Sequence, residues 1–260
     1  MSIPLEITRL SASTIQLRQP KAAHWEAPFL FLLFGTERAL LLDTGATADA
    51  ERLPLRETVD GLIAEWLRTH PSTEYELVVA HTHAHGDHIA GDGQFAGRPR
   101  TSVVGTRVEE VTAYFGLHDW PEHPTVLPLG GRDIDVIPGP GHEPSAVVIF
   151  DRESGTLFTG DTVYPGRLYI RDRAAFRATI DRLIAFRDAT GPDLKVLRGC
   201  HVEMTTVPGV DYPVGTVDQP DEAPLDLPPE TLDDVRLALD ATIDPSGKVV
   251  RDRFILSYED

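Results

Sequence analysis

The segment "VVAHTHAHGDHIAGDG" at residues 78–93 constrains this chain more than any other. It packs His81, His83, His85, Asp87 and His88 into eight positions directly after an apolar run. Crowded imidazoles repel one another when protonated and need partners when neutral, so the cluster calls for a bound cation. In an extended chain alternate residues share a face, so His83 and His85 point the same way and can grip one ion. Gly86 permits a sharp bend, after which Asp87 and His88 can turn toward a second ion. Neutral imidazole suits zinc, iron or copper, and a carboxylate adds a hard anionic ligand.

One segment cannot fill two coordination spheres. Three later strand ends offer further donors: "IPGPGH" delivers His142, "LFTGD" delivers Asp161 and "LRGCH" delivers His201. Each stands where an apolar run leaves the core, the usual position for chemistry on a rigid scaffold.

The rest of the chain supplies that scaffold. Near-continuous apolar runs at 29–35 and 38–45 read as strands covered on both faces. Further strands are expected at 75–81, 100–105, 133–139, 146–151, 155–161 and 194–201. Helical spacing marks 56–69, 107–116 (ended by Gly116), 173–189 and 230–241. The Pro- and Gly-rich stretch 207–229 reads as a loop, and 248–258 as a final extended piece available as an edge strand or a partner contact. Alternating strands and helices with hairpins between them predict mixed sheets covered by helices. No linker or short repeat divides the 260 residues, so one domain is expected over 1–260.

Composition narrows the function. The formal net charge of −17 disfavours nucleic acid as a partner. No apolar stretch reaches the ~18 residues of a membrane span. A single cysteine, Cys200, excludes an internal disulfide. The first residues lack a basic region followed by an apolar core, so a cytoplasmic location is expected. The oligomeric state is left open.

The series His83-x-His85-x-Asp87-His88, then His142, Asp161 and His201, resembles the metallo-β-lactamase superfamily, and "LLDTG" at 41–45 resembles its early strand-turn motif. The match covers about residues 27–201, with 202–260 as a C-terminal extension. The resemblance implies an α/β fold, a four-layer αβ/βα sandwich with the site at the strand edges between two sheets. It implies that His83, His85 and His142 hold one metal, that Asp87, His88 and His201 hold the other, and that Asp161 bridges them. Two Zn2+ per chain are expected, with iron or manganese as alternatives.

The activity implied is hydrolysis of a small ester, thioester, lactone or amide by a metal-bound hydroxide, since zinc lowers the pKa of bound water to roughly 7. Asp87 would orient the nucleophile and move its proton. Tyr164, three residues after Asp161, matches the place where some lactone-opening members use a tyrosine to polarise the substrate carbonyl. A mononuclear-iron oxidoreductase similar to the persulfide dioxygenases is the alternative. The nuclease branch is disfavoured because His201 lies only 40 positions after Asp161, and by the acidity. Glutathione recognition of the glyoxalase II kind is disfavoured because "GDTVYPGRLYI" lacks the cysteine-containing segment usual there.

Outside the seven ligands, His81 and Asp43 are expected to support ligands rather than bind metal, and Cys200 to be a buried strand residue. Tyr114, Phe115, His118 and Trp120 are offered as a pocket wall or as packing. Arg167, Arg171 and Arg173 are offered as readers of a substrate carboxylate or as a solvated face.

Overall fold

The computed structural model describes residues 4–241 and 247–259. Six strands build the first sheet in chain order: β1 (Glu6–Arg9), β2 (Thr14–Arg18), β3 (Phe29–Phe34), β4 (Arg38–Leu42), β5 (Glu76–Ala80) and β6 (Thr101–Val103). The first four pair antiparallel, and β4, β5 and β6 run parallel. The crossover from β4 to β5 is α1 (Leu55–Leu67), and the short α2 (Gly86–Ile89) follows β5.

The second sheet contains β7 (Thr125–Pro128), β8 (Asp133–Pro138), β9 (Val147–Asp151), β10 (Thr156–Gly160), β12 (Val196–Gly199) and β13 (Asp226–Leu227), in the order β13-β12-β10-β9-β8-β7. Here β10 and β12 are the parallel pair, with α4 (Arg173–Thr190) crossing between them; α3 (Val108–Phe115) precedes β7. A third, three-stranded sheet places β15 (Ile255–Tyr258) between β11 (Arg167–Ile170) and β14 (Lys248–Val250).

Period-two alternation builds the layers. Phe31, Leu33, Leu40 and Val78 face the second sheet and pack with Ile134, Val136, Ile149 and Phe158; the Phe31 and Phe158 ring centroids are 4.5 Å apart. The intervening residues Leu30, Leu32, Leu41 and Val79 face the other way, onto Val59, Leu62 and Ile63 of α1. On the far face of the second sheet, Val148, Phe150, Leu157 and Leu197 meet Phe176, Ile180 and Leu183 of α4 and Leu232 and Val235 of α5 (Thr231–Ala238). Helix, sheet, sheet and helix therefore stack as the expected αβ/βα sandwich. The apolar runs are continuous because the inner strands are covered on both faces.

Two features hold the sheets in register. Buried Arg132 donates to Asp151 Oδ1 and Oδ2 at 2.9 and 2.6 Å, and also to Ser13 O at 2.6 Å and Phe34 O at 3.1 Å, which bridges the two sheets. At the other end, a Cβ on Gly160 (φ +52°) would lie 2.6 Å from Thr82 Cβ, closer than packed carbons come.

Five strands escaped the sequence reading. β1 is exposed along its length, β2, β7 and β11 are short, and β13 is two residues inside the stretch 207–229 read as a loop; each is paired by its sheet rather than marked by a long apolar run. The segment 248–258 is a hairpin whose first strand, β14, forms an edge of the third sheet and whose second, β15, lies in its middle.

Candidate metal centre

Every expected ligand lies at the same end of the sandwich. His83 and His85 follow β5, and Asp87 and His88 lie on α2. His142 follows β8, Asp161 follows β10 and His201 follows β12. The parallel pairs β4/β5 and β10/β12 send their C-terminal ends to this one edge, which brings together residues up to 118 positions apart (83 to 201).

The seven side chains form two groups, His83, His85 and His142 in one, and Asp87, His88, Asp161 and His201 in the other. In the first, His85 Nδ1 lies 3.0 Å from both His83 Nε2 and His142 Nε2. In the second, Asp87 Oδ2 lies 3.2 Å from His88 Nε2 and 3.1 Å from His201 Nε2. Asp161 faces both groups. Its Oδ2 is 3.9 Å from His83 Nε2, 3.8 Å from His142 Nε2 and 3.6 Å from His88 Nε2, and its Oδ1 is 3.5 Å from His201 Nε2.

The surroundings decide which nitrogen of each ring faces inward. His142 Nδ1 is 2.8 Å from Tyr169 O, His201 Nδ1 is 3.1 Å from Glu26 O, and His88 Nδ1 is 3.0 Å from Asp43 Oδ2. Those partners only accept, so each Nδ1 carries a proton and Nε2 is the ring atom turned to the centre, the one that supplies a lone pair when a cation is bound. Thr82 Oγ1 gives its proton to Asp43 Oδ2 at 2.9 Å and so accepts from His83 Nδ1 at 3.1 Å. Asp43 thus backs one ligand of each group.

Converging lone pairs at 3 Å are unfavourable unless a cation lies between them. The buried Asp161 Oδ1 and His85 Nε2 also have no hydrogen-bond partner among the described residues. The donor set therefore fits divalent metal ions, with imidazole and carboxylate in the proportions zinc accepts.

Charge is divided unevenly between the groups. Burial, then His88, holds His83 well below the usual imidazole range, and burial with His142 and Arg171 lowers His85. In the second group burial works against the charged forms, but the carboxylates override it. Asp161 and Asp87 raise His201 to about 9, and Asp161 and Asp43 raise His88. Burial likewise opposes ionisation of the two aspartates, yet both lie well below the usual carboxylate range. For Asp87 the hydrogen bonds of His201 and His88 prevail, and for Asp161 the charges of the same two rings.

The flanking residues sort into walls and supports. Asp43, in the left-handed conformation at φ +67°, accepts from Thr82 N at 2.7 Å and from Cys200 Sγ at 3.3 Å. Burial and the Asp43 charge push the Cys200 thiol up, so it stays protonated. His81 Nε2 sits 3.2 Å from Asp92 Oδ2, behind the ligands. Tyr164 stands in the cleft wall, but its hydroxyl donates to Arg167 O, and Glu203 Oε2 is 3.2 Å away. The aromatic stretch 114–120 lines neither cleft at the centre; Phe115 and Trp120 pack into the inter-sheet core. Arg167 is neither a solvated face nor free to read substrate. It is buried and bonded to Glu203, Asp211, Tyr169 and Tyr212.

Sequence reasoning missed one wall of the cleft, a cavity of about 180 Å³ lined by Lys21, Trp25, Glu26, Glu203 and Gln219 together with Asp87 and Asp161. Burial and the Asp87 charge raise Glu26 to about 7. These residues come from the loop before β3 and from the segment after His201, where no motif marks them.

The family model of the Metallo-beta-lactamase superfamily matches residues 25–247. The chain belongs to that superfamily. A hydroxyacylglutathione hydrolase of Rhizobium meliloti (strain 1021) is 29% identical over 151 residues, 56% of this chain and 56% of the relative. The acyl-coenzyme A thioesterase MBLAC2 of Gallus gallus is 28% identical over 169 residues, 54% of this chain and 58% of the relative. The chain spans little more than half the length of these curated relatives. A solved metallo-beta-lactamase from Pontibacter korlensis shares the fold at a TM-score of 0.59 and 20% identity, covering 92% of this chain and 100% of that one. Among the described residues no helix is long and apolar enough to cross a membrane.

Proposed function

We propose that this chain is a hydrolase of a small ester, thioester, lactone or amide, working through two divalent cations, zinc foremost. The observation that carries the reading is the convergence of seven donors in two groups with Asp161 facing both. His83, His85 and His142 would hold one ion, Asp87, His88 and His201 the other, and Asp161 would be shared. When bound, such ions supply Lewis acidity, making water nucleophilic near neutral pH and stabilising a developing oxyanion.

The protein's own groups do the rest. The Nδ1 hydrogen bonds of His88, His142 and His201 keep lone pairs aimed inward. Asp87 uses Oδ2 toward His88 and His201, which leaves Oδ1 to take up the proton of the attacking water. Trp25 and Val202 supply apolar wall at the cleft. Its small volume suits a small-molecule substrate, and the net charge of −17 disfavours nucleic acid. The resemblance to a hydroxyacylglutathione hydrolase and to an acyl-coenzyme A thioesterase supports the thioester branch. The complete second group favours two cations over the single iron of a persulfide-dioxygenase-like enzyme. One buried cysteine accords with the cytoplasm.

Purified protein should carry about two metal ions per chain. It should hydrolyse at least one of a panel of lactones, thioesters and esters, lose that activity to a chelator and regain it with zinc. Asp87→Asn should stay folded and lose most turnover. Metal-free protein, or turnover indifferent to chelation, would defeat the reading, and oxygen uptake with a persulfide would replace it with the iron alternative.

A further inference from the structure

Three arginines follow the metal aspartate, and the fold gives them separate tasks. Arg167 is consumed inside the wall, as described. Arg173 lies over the Tyr258 ring, 4.4 Å from its centroid. Arg171 lines the open mouth beside His85, Asp87 and His142.

Its placement there is built rather than incidental. The Arg171 peptide N–H donates to Gly141 O at 3.1 Å, so the residue is anchored one position from His142. Its Nε donates to Glu259 Oε2 at 2.8 Å, and Glu259 is itself held by its own N–H on Ile170 O at 3.0 Å. The side chain is 53% exposed, and among the described residues neither Nη has an acceptor. Nε is therefore pinned while both Nη groups, on a side chain that lines the mouth, keep their donors for a ligand. Glu259 lies beyond the matched residues 25–247, so this brace belongs to the part of the chain outside the family match.

We infer that Arg171, braced by Glu259, reads a carboxylate carried by the substrate at the end away from the scissile bond. This rests on the hydrolase reading and narrows its substrate to an acidic ester, thioester, lactone or amide. The chemistry favours a monoanion. Two parallel N–H donors match the two oxygens of a carboxylate. The Arg171–Glu259 pair is neutral as a unit, so among the described residues the mouth offers no cation to balance the second charge of a phosphate dianion.

The test is equilibrium binding to the zinc-loaded full chain by calorimetry. Succinate, glutarate and adipate are compared with the monocarboxylates of the same length. The best dicarboxylate should bind about tenfold or more tighter than its monocarboxylate, the range of a charge-assisted hydrogen bond. Arg171→Gln should erase that difference, Arg171→Lys should retain part of it because an ammonium lacks the fork, and Arg173→Gln should keep it whole. Equal binding of both acids by the parent chain, or a preference that survives Arg171→Gln, overturns the inference. Inorganic phosphate binding as tightly as the best dicarboxylate overturns the choice of carboxylate. Because binding is read without turnover, a chain that discriminates but hydrolyses nothing fails the hydrolase reading alone. One that cleaves neutral esters but binds both acids equally fails this inference alone.

Discussion

The two ligand groups sit against each other yet are built on opposite electrostatic plans. The first is all imidazole, and burial keeps His83 neutral and ready to donate a lone pair. The second mixes imidazole with two carboxylates, which draw protons onto His201 and His88 when no cation competes. The first group is thus a neutral cradle, and the second an anionic nest that takes a proton or a metal. A single aspartate, Asp161, faces both, and another, Asp43, backs both from behind.

The harshest way to break the comparison is to remove what the groups share at the front. Asp161→Asn deletes the anionic oxygen between them, and turnover of the best substrate should fall on the order of a thousandfold. Metal analysis should show the content dropping below two ions per chain. Retention of both ions at parental affinity would mean that the groups fill independently.

A finer cut works from behind. Asp43→Asn weakens the support of His88 directly and of His83 through Thr82, so metal titration should show affinity loss of about 10–100-fold at both sites. Thr82→Val removes the partner of His83 but leaves His88 its Asp43 bond at 3.0 Å, losing there only the longer 3.3 Å contact, so its loss should fall mainly on one of the two binding steps. Identical titrations for the two variants would show that the sites are not separately supported.

The gentlest probe is pH. In metal-free protein His83 has a lowered folded pKa, so its contribution to stability falls as pH drops below the unfolded value of about 6.5. His201, raised to about 9, contributes fully below 6.5 and loses its contribution as pH climbs toward 9. The thermal midpoint should therefore peak near pH 6.5. His201→Gln should flatten the alkaline side, and His83→Gln the acid side. A monotonic profile in the metal-free parent would contradict this division of charge.

Much of this was readable from the chain, for identifiable reasons. β3, β4 and β5 announced themselves because both faces are buried, and α4 because its apolar stripe faces a sheet. The seven donors were readable because four crowd into one short segment after β5 and the other three stand just past strand ends. β1, β2, β7, β11 and β13 were not: β1 is exposed throughout, the others lack a long apolar run, and β11 pairs with β15, which lies far along the chain. The tasks of the three arginines were equally hidden. Arg167, Arg171 and Arg173 alternate in a short segment, and only the partners at 203, 211, 258 and 259 tell them apart. Tyr164 was read by position relative to Asp161, whereas its hydroxyl is taken by a carbonyl three residues on.

The bare α-carbon at position 160 has a consequence for how this centre can vary. Thr82 and Gly160 meet where the two halves of the sandwich abut, one residue before His83 on one side and one before Asp161 on the other. That seam acts as the caliper of the centre, because any added bulk there would lever the two banks of ligands apart. The spacing available to a pair of ions is thus governed by a position that has no side chain to offer them.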